Sequence, residues 1–141
     1  MGGRKVRHEK PELSKRNPYY LPRHRYYELK HFCAQYGDWK KALLLLDGWK
    51  SGGDLNSSIR GNLPSDPTEQ EALLRAYYSQ KIKMVEDCIA QVEPAVAPFL
   101  KMGVTEGLSY NHLRARGCPC GSEMYYDIYR RFFWILHKAR G

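Results

Sequence analysis

The stretch "LSYNHLRARGCPCGSEMYYDIYRR", residues 108–131, decides how the C-terminal third of the chain folds. Ser109 is a favourable N-cap for a short helix over "YNHLRAR", and Gly117 is placed to end that helix. Cys120 or Ser122 can then cap a longer helix that runs toward the C-terminus. Four apolar residues share one face of this second helix: Met124, Ile128, Phe132 and Ile135. Two helices joined by a glycine-containing turn predict a helix-turn-helix.

The sequence Cys118-Pro119-Cys120 in the turn also raises the possibility of a metal or redox site. A zinc site usually separates its paired ligands by about two to four residues, and a thioredoxin-type pair separates its cysteines by two. Here a single residue separates the sulfurs, which disfavours both. We therefore interpret Pro119 as stiffening the turn and Cys118 as a small apolar residue that packs inward. No metal and no cofactor is expected.

The rest of the chain predicts further helices and no strand of useful length. Apolar residues recur at helical spacing after Pro22, Gly37 is placed to stop that helix, and Asp38 can cap a second short helix ending near Gly48. Asp66 and Pro67 then stand in the N-cap and N1 positions of the longest helix. One apolar stripe is predicted along that helix: Leu74, Tyr78, Ile82, Val85, Ile89 and Val92.

The fold class predicted is an all-α, small helical bundle with a C-terminal helix-turn-helix and a disordered basic N-terminal arm. A 141-residue chain suits a single domain. The predicted divisions are an arm over 1–18 and one helical domain over 19–141, which contains a helical hairpin (19–50), a loop (51–65), a long helix (66–93) and the helix-turn-helix (94–141).

The net charge of +8 is concentrated at the two ends of the chain. Residues 1–30 contain nine Lys and Arg against three Glu, and residues 112–141 contain six against two acidic residues. Residues 31–111 contain eight against ten. Two basic ends suit a polyanion, most simply nucleic acid. Within the arm, the residues expected to contact the backbone or minor groove of DNA are Arg4, Lys5 and Arg7.

The sequence disfavours membrane insertion, secretion and catalysis. It contains no run of about 18 apolar residues, and the charged N-terminus lacks the apolar segment of a signal peptide, so a cytoplasmic location is expected. Cys118 and His112 are six residues apart, but nothing marks a pocket around them. No glycine-rich phosphate loop follows a strand. We therefore do not predict an enzyme.

The segment "TEGLSYNHLRARGCPCGSEMYYDIYRR", residues 105–131, resembles the helix-turn-helix of sigma-factor region 4 and of related phage late-gene regulators of the ArpU type. Arg114 departs from the family, which usually has a small alanine there, and the turn is richer in cysteine and proline. The positions that match are the family's opening (Glu106, Gly107, Leu108, Ser109, Tyr110), its packing isoleucine (Leu113), its small cap residue (Cys120) and two buried positions of its recognition helix (Met124, Ile128).

The resemblance implies that the solvent face of the last helix enters the major groove of double-stranded DNA. The side chains then expected near base edges are Ser122, Tyr125, Tyr126 and Tyr129, together with Glu123. Arg130, one turn further on, suits a phosphate or a guanine. The helix before the turn would contact the DNA backbone through Tyr110, Asn111 and Arg114.

These observations predict a sequence-specific, phage-type transcriptional regulator in a bacterial host cytoplasm. Helix-turn-helix proteins usually bind as dimers, and the helix over 67–92 is the candidate surface for a homodimer. Two other interpretations remain open. The chain could be a protein-binding module or phage-encoded inhibitor acting on a host protein such as RNA polymerase or another nucleic-acid-binding complex. It could also be a structural helical bundle without a nucleic-acid role.

Overall fold

The computed structural model describes residues 17–48 and 66–141, and these residues form helices and no strand. The predicted all-α fold class is confirmed for this part of the chain. The predicted loop and all but the last two residues of the predicted arm lie outside the described residues. The six helices are α1 (Arg23–Ala34), α2 (Tyr36–Gly48), α3 (Pro67–Ile89), α4 (Ala97–Glu106), α5 (Tyr110–Ala115) and α6 (Ser122–Arg140).

A single hydrophobic core joins these helices. α2 packs along α3, α3 also contacts α6, and α1 contacts both α4 and α6. The largest side chains with almost no exposed surface come from α1 and α6: Tyr26, Tyr125, Phe132 and Phe133. Burying one such ring contributes about 1.5–3 kcal/mol. The C-terminal helix contributes three of these four side chains and is therefore part of the core.

The start of α3 is formed as its sequence predicts. The carboxylate of Asp66 accepts a hydrogen bond from the backbone N–H of Thr68 at 3.0 Å, and Pro67 is the first helical residue. The helix ends at Ile89, before the predicted limit, and the chain then turns toward α4. The predicted apolar stripe is buried except at Tyr78, which is half-buried: Leu74, Ile82, Val85, Ile89 and Val92.

The prediction that Gly37 stops the first helix and that Asp38 caps the second is wrong. Only Gln35 separates α1 from α2, and Gly37 lies inside the first turn of α2. Tyr36 and Trp39 flank this glycine, and both are buried. Continuing the helix through Gly37 keeps both rings in the core, and this gain outweighs the modest cost of a helical glycine.

The turn between α5 and α6 confirms that Gly117 ends the first helix of the pair. Gly117 has a φ of 104°, and its N–H donates to the carbonyl of Arg114 at 3.0 Å. The N–H of Cys118 donates to the carbonyl of Leu113, also at 3.0 Å. These two bonds define a Schellman motif, in which the residue after the glycine packs back on the helix. Cys118 and Leu113 are both buried in the core, so the prediction that Cys118 packs inward is also confirmed.

The start of α6 differs from the prediction in its N-cap residue and in the exposure of Met124. Its N-cap is Gly121 rather than Cys120 or Ser122, and no side chain caps it. The carbonyl of Cys120 instead accepts a hydrogen bond from the hydroxyl of Tyr110 at 2.7 Å, which ties the turn to α5. Met124, predicted to be buried, is 50% exposed.

Candidate nucleic-acid interface

Tyr110 of α5 lies at the contact between α5 and α6. Its ring is buried, with its centroid 5.7 Å from that of Tyr125 and 6.4 Å from that of Tyr126. The guanidinium of Arg114 lies 3.5 Å from the Tyr110 hydroxyl oxygen. Tyr110 therefore brings Arg114 and Tyr126 to one side of the helix pair. The hydroxyl of Tyr110 donates to the carbonyl of Cys120 and so holds the turn, and the contact of Tyr110 with the DNA backbone stays a prediction.

α5 presents a positive, exposed face. Asn111, predicted to contact the DNA backbone, is exposed, and so are His112 and Arg114. Arg116, just after the helix, is also exposed, and neither arginine has a carboxylate within 4.0 Å in the described part of the chain. The sequence interpretation missed Arg116, although its position two residues from Arg114 was a usable signal.

Tyr125 and Tyr129 do not lie on the solvent face of α6, and the prediction that they do is wrong. They are 1% and 6% exposed, because α6 contacts both α1 and α3 and its buried stripe is correspondingly broad. The hydroxyls of Tyr129 and Tyr26 share a hydrogen bond of 2.7 Å. Burial, reinforced by Tyr26, raises the pKa of Tyr129 well above its ordinary value. These rings position the helix and are not placed to contact a partner.

The hydroxyl of Tyr125 has no hydrogen-bond partner among the described residues, although it is buried. Burial raises the pKa of this phenol as well. The hydroxyl lies against Gly103 of α4, where an added Cβ would stand only 2.2 Å from the oxygen. Only glycine therefore lets α4 approach α6 this closely. A buried hydroxyl without a partner costs about 1–3 kcal/mol relative to one that is paired.

The exposed side of the first turns of α6 carries charges of both signs. Ser122, Tyr126 and Arg130 are half-buried, and Arg130 forms an ion pair of 2.9 Å with Asp127. Glu123 is exposed beside them. Since carboxylates repel phosphates, Glu123 and Asp127 make this face less suited to a polyanion than the exposed face of α5. Among the residues predicted on α6, Ser122, Tyr126 and Arg130 keep partial exposure.

The two thiols of the turn lie close together, but no further metal ligand is grouped with them among the described residues. The sulfurs of Cys118 and Cys120 lie 3.9 Å apart, and both residues are free thiols. Partial burial, followed by the hydrogen bond with Cys118, raises the pKa of Cys120. The other two cysteines are buried, and burial raises the pKa of Cys88 to about 11. Within residues 17–48 and 66–141, no three His, Cys, Asp or Glu side chains are grouped to hold a metal ion.

A second cationic region, where α1 meets the end of α6, was not predicted. The Nε of Arg25 donates to Nδ1 of His137 at 2.9 Å, so this imidazole nitrogen is the unprotonated acceptor. Partial burial, and then the charge of Arg25, lower the pKa of His137. The guanidinium of Arg140 covers the ring of Phe32 at 3.9 Å, and Lys81 of α3 lies 5.7 Å from the same ring.

Arg4, Lys5 and Arg7 lie outside the described residues. Among the helices that are described, none combines the length and the apolar character needed to cross a membrane.

Comparison with known proteins gives no relative for this chain: no protein-family model, no curated protein and no solved structure matches it.

Proposed function

We propose that this chain is a sequence-specific DNA-binding protein, a transcriptional regulator of the phage type, that contacts double-stranded DNA with the α5–α6 pair. One observation carries the proposal. Arg114 and Tyr126, on different helices, both lie against Tyr110, and a closed turn fixes the two helices that present them. A cation beside an aromatic ring on a rigid pair of helices suits the phosphates and sugars of a duplex.

In this proposal α5 and α6 contact different parts of the DNA. Asn111, Arg114 and Arg116 on the α5 side donate to phosphates, which fixes the register of the protein on the duplex. Tyr126 and Arg130 reach the groove from the edge of α6. Specificity then comes from few base contacts.

The basic arm and a homodimer complete this proposal. The basic arm, through Arg4, Lys5 and Arg7, adds phosphate or minor-groove contacts. A homodimer would place two α5–α6 pairs on successive half-sites of a symmetric operator. A regulator of this kind acts in the cytoplasm of a bacterial host.

Fluorescence anisotropy with a pool of randomised duplexes tests the proposal. The affinity should fall steeply with salt, with a slope of about 0.9 per phosphate contacted. Arg114→Gln should reduce that slope by about one such contact, and Tyr126→Ala should weaken binding with little change in the slope. Lys40→Gln on α2 is the matched control, since Lys40 is also exposed and has no ion pair with another described residue. The proposal fails if the protein does not bind duplex at low salt, or if Lys40→Gln weakens binding as much as Arg114→Gln.

The α2–α3 pair favours a second candidate function, a protein-binding module. Leu44 is 71% exposed, and Leu73 and Tyr77 of α3 are 47% and 52% exposed. Leu73 and Tyr77 are four residues apart and share a face of α3, and large exposed apolar side chains are typical of protein interfaces. In this case the partner would be a host protein such as RNA polymerase. A Leu44→Ser, Leu73→Ser double variant should then lose capture of purified polymerase while it keeps the stability of the parent protein.

A further inference from the structure

The side of α3 that faces away from the core is exposed along most of the helix. Its residues follow one another in alternating steps of four and three positions, which places them on a single stripe. Two large apolar side chains stand in the middle of this side: Leu73 is 47% exposed and Tyr77 is 52% exposed. The outer stripe consists of Glu69, Leu73, Ala76, Gln80 and Lys83, all of them exposed.

The two edges of the outer stripe differ in shape. On one edge the Tyr77 ring projects, with its centroid 5.1 Å from that of Tyr78 and 4.7 Å from the ammonium of Lys81. The other edge is a shallow groove, lined by Thr68, Glu71, Ala72, Arg75, Ala76 and Ser79. Neighbouring residues of a helix are rotated by about 100°, so the ring and the groove flank the stripe on opposite sides. They become complementary when a second copy is rotated by 180° about an axis at Ala76.

The charges of the outer stripe fit the same antiparallel arrangement. Glu69 stands seven residues before Ala76 and Lys83 seven residues after it, so the rotation brings each Glu69 opposite Lys83 of the other copy. In the described part of the chain, no cation lies within 4.0 Å of the Glu69 carboxylate. Lys83 pairs with Asp87 at 2.8 Å, but both are largely exposed, and an ammonium has donors for a second carboxylate. A parallel arrangement would instead place each Glu69 opposite itself.

We propose that a second copy of this chain binds to this face, so that the two α3 helices pack antiparallel about a two-fold axis at Ala76. Each Tyr77 ring then lies in the groove of the other copy, and Leu73 is buried near the axis. Two Glu69–Lys83 pairs close the ends of the contact. Because shape and charge are complementary within one chain, they favour a copy of the chain over an unrelated protein. This inference rests on the homodimer of the proposed function and names the surface that forms it.

Sedimentation equilibrium of the full chain without DNA tests the proposal through charge reversal. One helix pair is a small interface, so the dimer should form with a Kd of about 10–100 µM. Glu69→Lys alone and Lys83→Glu alone should each weaken it about tenfold, because each creates two like-charged pairs. The double variant restores opposite charges and should regain most of the affinity. Lys40→Glu, at an exposed position of α2, is the control and should leave the dimer unchanged.

Cysteine cross-linking locates the two-fold axis. Ala76→Cys should form a covalent dimer under diamide, because the two thiols face each other at the axis. Ala90→Cys, exposed just beyond the end of α3, should not, since the copies of that residue stand about 42 Å apart along an antiparallel pair. The parent chain under the same conditions controls for its own cysteines.

The proposal is overturned if the parent chain stays monomeric at about 200 µM, or if the double variant is as weak as the single ones. It is also overturned if Ala90→Cys cross-links as readily as Ala76→Cys. A monomer that binds duplex leaves the α5–α6 contact with DNA standing, and a dimer that binds no duplex overturns that contact alone. A monomer that captures purified polymerase, and loses it with Leu73→Ser, assigns this face to the second candidate function.

Discussion

Two of the breaks between consecutive helices, at α1–α2 and at α5–α6, show how differently a glycine can act. A single residue separates α1 from α2, and Gly37 lies within the first turn of α2. Six residues, 116–121, separate α5 from α6, and Gly117 adopts a left-handed conformation that ends α5. The residue type is the same, and the buried neighbours decide the outcome. Tyr36 and Trp39 favour a continued helix, whereas Cys118 must turn back onto Leu113.

This difference matters for the proposed function. The α1–α2 break only changes the direction of a helical region, whereas the α5–α6 turn sets the positions of Arg114 and Tyr126 relative to each other. A change at Gly117 should therefore affect both stability and DNA binding, and a change at Gly37 should affect stability alone.

The largest effect is expected from Gly117→Val. A β-branched residue strongly resists a φ of 104°, so the substitution should lower the free energy of unfolding by about 2–3 kcal/mol. Urea denaturation followed by circular dichroism measures this loss. Gly117→Asn is the control and should lose clearly less, because asparagine tolerates left-handed conformations. Equal losses in the two variants would contradict the conformational role of Gly117.

Gly103→Ala should be nearly as disruptive, although Gly103 is helical like Gly37. The new methyl carbon would stand 2.2 Å from the Tyr125 hydroxyl, and that ring is 1% exposed and has little room to move. Forcing extra volume into a packed core costs about 1–3 kcal/mol, so the melting temperature should fall clearly.

Tyr125→Phe provides the test of that explanation. The substitution alone removes a buried donor without a partner and should stabilise the protein by about 1 kcal/mol. In this background Gly103→Ala should cost clearly less, because the hydroxyl is gone and the remaining contacts of the new carbon, 3.3 Å to Leu113 and 3.5 Å to the Tyr125 ring, need only a small shift. If Gly103→Ala is equally destabilising in both backgrounds, the hydroxyl is not the obstacle.

Gly37→Ala should have the opposite sign and a smaller size. Nothing lies within 4 Å of a Cβ added at this position, and the backbone there is helical. Alanine loses less conformational entropy than glycine on entering a helix, so the free energy of unfolding should rise by about 0.5–1 kcal/mol. The midpoint of urea denaturation measures the change. A destabilised variant would show that Gly37 does mark the end of α1 in solution.

The local chemistry of capping predicted much of the fold. Asp66-Pro67 and Ser109 begin helices as expected, and Gly117 ends one, since each signal involves neighbours within a few residues. Periodicity also indicated the face of α3 that is buried. Gly37 was interpreted wrongly because the burial of Tyr36 and Trp39, which favours a continued helix, depends on tertiary packing.

The candidate site was predictable only where exposure followed from the pattern of a single helix. Asn111 and Arg114 are exposed as expected, because α5 is short and packs on one side. Tyr125 and Tyr129 were misplaced because the sequence of α6 does not reveal how many helices surround it. The contact of Arg25 with His137 joins residues 112 apart in the chain, and no local pattern indicates it.

The smallest effect on stability is expected from the contact of Arg25 with His137, which joins the α1–α2 region to the α4–α6 region. Partial burial and Arg25 lower the pKa of His137 below its ordinary value of 6.5, so the folded protein takes up a proton there less readily than the unfolded chain. The contribution of His137 to stability is therefore present above pH 6.5 and is lost as the pH falls through 6.5 toward the lowered pKa. His137→Asn places an acceptor oxygen near the Nδ1 position but does not titrate, so its unfolding free energy should fall less between pH 7 and pH 5 than that of the parent protein. Parallel pH profiles for the two proteins would show that Arg25 and His137 do not couple the two regions.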